Sequence, residues 1–135
     1  MTDSLPPAVA EAFANYPKAP RARLLQLRKL LFQTARQLDG VGAIAECLRW
    51  GQPSYLTRAT GSGSMLRLHW SPGLAQRVGL YVHCQTRLIS EFRARYPDFE
   101  YEGNRGLLVP TAGRLARHEI ADCIGLALTY RQRSR

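Results

Sequence analysis

Two short runs, SMLRLHW at 64–70 and RVGLYVHC at 77–84, alternate large apolar and polar residues with a period of two, and nothing else in the chain constrains the fold as strongly. Alternation of this kind marks a strand with one buried and one wet face. In the first run Leu66, Leu68 and Trp70 share a face and Met65, Arg67 and His69 the other. In the second, Val78, Leu80, Val82 and Cys84 oppose Arg77, Gly79, Tyr81 and His83. The intervening SPGLAQ is turn-forming, so the economical connection is antiparallel. Arg67, His69, Tyr81 and His83 are then expected together on the wet face.

A sheet with one apolar face needs a helical cover. From Arg21 to Leu38, positions 24, 27, 31, 35 and 38 carry leucine or alanine at three- and four-residue spacing, with Arg28, Lys29, Gln33, Arg36 and Gln37 at polar positions. PPAVAEAF starts a shorter helix that Pro17 and Pro20 are expected to end. Residues 85–96 and 115–130 supply two more helices, the last with Ile120, Ile124 and Leu128 on one stripe. DFEYEG and RGLLVP read as short strands, and TRATGSGS as a flexible connector. The sum is an α+β fold, a mainly antiparallel sheet with helices covering one face. A chain of 135 residues can bury one such core without metal or disulfide staples, so a single domain is expected over 1–135, its core running from about 21 to 131.

Between the leucine-striped helix and the first alternating run lies ECLRWGQPSY, Glu46 to Tyr55. Gly51 can take backbone angles closed to other residues, and Pro53 fixes its own φ while pushing Gln52 towards extended geometry. The segment is expected to bend the chain from helix into an edge strand. On that reading Trp50 and Tyr55 fill the seam between helix and sheet, and Glu46 accepts hydrogen bonds from a basic group such as Arg105. A second reading makes Trp50, Tyr55, Tyr81 and Arg105 the walls of a ligand cleft, since small-molecule sites combine aromatic walls with a few polar groups. Together with the wet face, the candidate binding residues are Glu46, Trp50, Tyr55, Arg67, His69, Tyr81, His83 and Arg105.

The formal charge is +9, and seventeen of the nineteen basic residues are arginine. Guanidinium forks suit phosphate and carboxylate, so a nucleic acid or an anionic metabolite is one class of partner. A genome rich in G and C produces the same ratio without any ligand. The arginines are dispersed, and the one dense run, RQRSR, reads as a solvated tail.

Catalytic signatures are missing. There is no G-x-S-x-G, no Walker loop and no H-E-x-x-H. His83 and Cys84 are adjacent in a strand and point to opposite faces, which defeats proton transfer between them. His69 and His83 could converge from neighbouring strands but lack a third ligand. His118 with Asp122, and Glu119 with Cys123, read as the polar side of a helix. No catalytic residue, cofactor or metal is expected. Cys47, Cys84 and Cys123 include no C-x-x-C pair and are expected as reduced, mostly buried thiols. No basic region leads into an apolar run at the start, and no stretch has eighteen uncharged apolar residues, so a cytoplasmic protein without a membrane partner is expected.

ECLRWGQPSY resembles the E-x-x-x-W-G-x-P-x-Y stretch of the YdhG-like family, a set of small bacterial domains of unknown function. VGLYVHC is similar to that family's central strand, and EGNRGLLVP to its strand with a glycine before an apolar run ending in proline. The similarity spans roughly Arg21 to Arg131. It implies an α+β fold akin to frataxin; with no catalytic signature in the chain, a non-enzymatic binding or chaperone-like role towards a small ligand or protein partner is expected. Some members are described as frataxin-like iron chaperones. Iron delivery needs clustered carboxylates, and the local cluster here is Asp98, Glu100 and Glu102, in a chain with ten acidic residues against nineteen basic ones.

Overall fold

The computed structural model describes residues 4–134. In chain order these form α1 (Pro7–Ala14), α2 (Lys18–Arg36), β1 (Ala45–Arg49), β2 (Gln52–Leu56), β3 (Leu66–His69), a single 3-10 turn at Pro72–Leu74, β4 (Arg77–Tyr81), α3 (Leu88–Arg95), β5 (Glu100–Glu102), β6 (Gly106–Pro110), α4 (Arg117–Leu128) and α5 (Tyr130–Arg133). The six strands form one sheet in the order β1-β2-β3-β4-β6-β5, with every neighbouring pair antiparallel. This is the expected α+β architecture. Among the described residues no helix is long and apolar enough to cross a membrane.

The strand phase follows the sequence pattern. Tyr55↔Leu66, Leu68↔Leu80, Val78↔Val109 and Leu80↔Leu107 lie across from one another on one face. Leu24, Leu27 and Leu31 of α2 and Ile124 and Leu128 of α4 close over that face without measurable exposure, and α1 adds Val9 and Phe13 above β1 and β2. Fully burying one such side chain stabilises the fold by about 1.5–3 kcal/mol.

Several local expectations change. Pro20 does not end α1; it lies in the first turn of α2, where an N–H has no helical partner to lose. Strand β4 stops at Tyr81, so His83 and Cys84 fall in the turn that follows. The thiols are mostly not buried: Cys123 is, Cys47 is half-buried and Cys84 is exposed. The connector at 57–64, expected to be flexible, is exposed at 58–60 and tied to α4 in its second half. Ser62 Oγ donates to the Leu128 carbonyl and the Ser64 N–H to that of Ala127, each at 2.9 Å. Those carbonyls sit at the end of α4, where no further turn of helix can satisfy them. A Cβ on Gly63 would collide with the Leu128 carbonyl, which explains a glycine there.

The largest revision concerns ECLRWGQPSY. It is a hairpin, β1 to β2, and not a bend from helix to strand. Trp50 and Gly51 are its two turn residues, at φ 53° and 73°. Positive φ at both positions matches the type I′ turn that suits a two-residue hairpin. The edge strand is β1, and Pro53 lies on the interior strand β2. A two-residue turn makes Arg49↔Gln52 the hydrogen-bonded pair and Leu48↔Pro53 the next, non-bonded one, so the missing N–H of Pro53 faces β3. The β2–β3 ladder begins only at Ser54, leaving that side without a bond to lose.

Candidate functional site

Alternation divides the sheet residues between two faces, and the eight candidate residues divide with them. Glu46 and Tyr55 point to the helix side. Glu46 takes both arms of Arg28, Nε to Oε2 at 2.6 Å and Nη2 to Oε1 at 2.7 Å, and Tyr55 donates its hydroxyl to Oε2 at 2.8 Å. Arg28 also lies 4.9 Å above the Phe32 ring and donates to the Ser4 carbonyl at 3.1 Å. Burial and the neighbouring Glu46 push the Tyr55 phenol far above its ordinary pKa, so it remains a donor. The partner of Glu46 is thus Arg28 and not Arg105, because Arg105 belongs to the opposite face. This group is a buried brace between α2 and the hairpin.

Trp50, Arg67, Tyr81 and Arg105 meet on the face that the helices leave uncovered. Register places Arg67 opposite Tyr81, and Tyr81 opposite Gly106. Arg67 lies 5.2 Å from the Trp50 ring and 5.6 Å from the Tyr81 ring, and Arg105 lies 5.5 Å from the same Tyr81 ring. Trp50 does not fill a seam: it is 78 % exposed. Tyr81 lies flat over the backbones of Gly79 and Gly106, where any Cβ would strike its ring, and the two arginines cover it to 5 % exposure. Its hydroxyl donates to Glu102 Oε1 at 3.0 Å, and burial with that bond raises its pKa to about 12.

Two residues that hold these arginines in place were not among the candidates. Gln52 Oε1 accepts from Arg67 Nη1 at 2.5 Å, and Glu102 Oε2 accepts from Arg105 Nε at 2.8 Å. The alternation of Gln52 with Ser54, once the hairpin is known, is the signal that would have found the first. Among the described residues no carboxylate pairs with Arg67. Burial, and then the like charge of Arg105, lower its pKa, so the protonated guanidinium stands in a partly dry place without a counter-ion.

The two histidines do not converge. His69 is at the end of β3 opposite Gly79, but its Nδ1 is 2.8 Å from the Tyr16 hydroxyl and its ring packs against that of Tyr16. Burial, then Arg67, lower its pKa. His83 is exposed beyond β4, its Nδ1 accepting from the Gln85 N–H. Among the described residues no three His, Cys, Asp or Glu side chains are grouped to hold a metal ion. Glu100 and Glu102 do share the open face, each ion-paired with an arginine, Arg77 and Arg105 respectively. A hollow of about 580 Å³, lined by Arg114 to Glu119, opens at the start of α4 and contains none of the eight candidates.

No family model, no curated protein and no solved structure matches the chain.

Proposed function

We propose that the chain is a non-enzymatic binding protein that holds an anionic partner on the uncovered face of its sheet. The observation that carries this reading is Arg67, set between the rings of Trp50 and Tyr81 with Arg105 on the same tyrosine and no carboxylate of its own. A guanidinium partly dried by two rings gains strongly from a charge-assisted bond to an incoming phosphate, sulfate or carboxylate. Tyr81 acts as the pedestal that keeps two like charges side by side, and Glu102 anchors the pedestal.

The resemblance of ECLRWGQPSY to the YdhG-like family supports a binding or chaperone-like role in the cytoplasm, and that membership is part of the proposal. The iron branch of the family is less well supported. A hard cation at Glu100 or Glu102 has to displace an arginine from each and overcome the repulsion of the remaining guanidinium groups.

Heparin, a sulfated polyanion without bases, is the probe. A triple variant R49Q/R67Q/R105Q is expected to elute from immobilised heparin at lower salt than R114Q/R117Q/R131Q, which removes the same charge elsewhere. Equal elution of the two would refer retention to net charge alone and overturn the assignment of the face.

A further inference from the structure

We infer that the anionic partner is single-stranded nucleic acid, with a base stacked on Trp50 and phosphates on the arginines of the open face. This rests on the anionic-partner reading above. Trp50 is the large hydrophobic side chain left exposed among the described residues, and it occupies a turn position at φ 53°. A bulky L-residue in the left-handed region is disfavoured by roughly 1–2 kcal/mol, and asparagine is the usual occupant of this turn position. Burial does not offset that strain here, because the ring is in solvent apart from its contact with Arg67. An indole held on one side by a guanidinium and open on the other is a stacking platform of the kind single-strand binders use.

The charge around it fits the same partner. Arg49, Arg67 and Arg77 alternate onto this face, Arg105 lies on Tyr81, and Arg58 donates to the Sγ of Cys47, another residue of the face, at 3.8 Å. Against these five arginines stand two carboxylates, Glu100 and Glu102, both already paired. From β1 to β6 the arginines cover five neighbouring strands, roughly 19 Å at ordinary strand spacing. One nucleotide cannot reach across that span, whereas a short strand can. A duplex is the poorer fit, because its bases hide their faces in the stack and leave Trp50 without a role. Gln52, which follows the turn, already has its Oε1 engaged by Arg67, so little base preference is expected.

The test is fluorescence anisotropy with labelled oligothymidylates of about 2, 6 and 12 nucleotides and a duplex of the longest, at low salt. Affinity should rise with length, and the duplex should bind more weakly than the single strand. Trp50→Ala should lower affinity for the longest strand about tenfold, within the range of one base–aromatic stack, and Trp50→Tyr should restore most of it. Circular dichroism checks that each variant is folded. Equal affinity of the parent and Trp50→Ala, a duplex bound as tightly as the single strand, or no binding by the parent would each overturn the inference. If the parent ignores oligonucleotides while heparin retention still depends on Arg49, Arg67 and Arg105, the anionic partner stands and is not a nucleic acid. If both fail, both readings fail.

Discussion

Glu46 and Tyr55 face each other across the β1–β2 hairpin, the phenol donating to the carboxylate at 2.8 Å, and the turn midway between them fixes their separation in sequence. With Trp50-Gly51 as the turn, pairs outward run 49 with 52, 48 with 53, 47 with 54 and 46 with 55. The E-x-x-x-W-G-x-P-x-Y spacing is therefore a register statement. It also places Glu46 under Arg28, so the hairpin is tied to α2 by a bidentate ion pair with side-chain exposures of only 7 % and 5 %.

Breaking that brace from one side should be severe. Glu46→Gln removes the carboxylate that takes both arms of the buried Arg28 guanidinium, and a loss of about 3–5 kcal/mol is expected by urea denaturation. Tyr55→Phe removes one hydrogen bond and should cost about 1 kcal/mol. The double variant R28M/E46Q, which removes both charges, should be more stable than Glu46→Gln alone. A double variant as unstable as the single one would show that the charge pair is not what the hairpin loses.

Gly79→Ala tests the pedestal. The new methyl would collide with the underside of the Tyr81 ring, which Arg67 and Arg105 cover. Overpacking of this kind costs about 1–3 kcal/mol, and the displaced ring should carry both arginines out of place. The expected result is a modest fall in melting temperature with a clear fall in heparin elution salt. Unchanged elution would mean that Tyr81 does not position the guanidinium groups.

How much of this was legible in the sequence varies with the range of the interactions that decide it. Period-two alternation gave the phase of β3 and β4 because burial on one face acts residue by residue, and the leucine spacing of α2 is visible for the same reason. The first hairpin was not legible. Its turn pairs glycine with a tryptophan, not the asparagine that marks such turns, so local propensity pointed elsewhere. The partner of Glu46 lies eighteen positions back on a helix, and no local pattern announces Arg28. Arg67 with Tyr81 was legible as a shared face, but the glycines that let the ring lie flat matter only once β6 is known to lie beside β4.

Ferrous ion is expected to bind no tighter than roughly micromolar, about 8 kcal/mol, because two of the three clustered carboxylates are held by arginines. Anaerobic titration calorimetry measures this. Tight stoichiometric binding that disappears in D98A/E100A/E102A would favour the iron-chaperone reading over the anionic partner.

Glu91 gives a pH dependence with a definite sign. Its two oxygens each accept from Arg133 at 2.9 Å, and that bond holds its pKa below the usual value. A depressed folded pKa contributes stability that is complete above the unfolded value of about 4.3 and is lost as pH falls through the folded one. The pair is partly solvated, so Glu91→Gln should cost only about 0.5–1 kcal/mol at pH 7, and less at high salt. Melting curves of parent and variant should approach each other below about pH 4. A gap that persists unchanged at pH 3 would refute the assignment.

Trp50→Asn separates stability from binding at the turn. Asparagine tolerates the left-handed region, so the substitution relieves backbone strain of about 1 kcal/mol while giving up a cation–π contact with Arg67 of about 0.5–1 kcal/mol. The two nearly cancel, and the variant should melt within a few degrees of the parent, at or slightly above its temperature. Its affinity for single strands should nevertheless fall about tenfold, since the stacking surface is gone. A protein that keeps an exposed, strained indole where asparagine is at least as stable keeps it for something outside the fold. If Trp50→Asn instead melts many degrees lower, the indole is part of the hairpin's own stability, and its exposure no longer points to a partner.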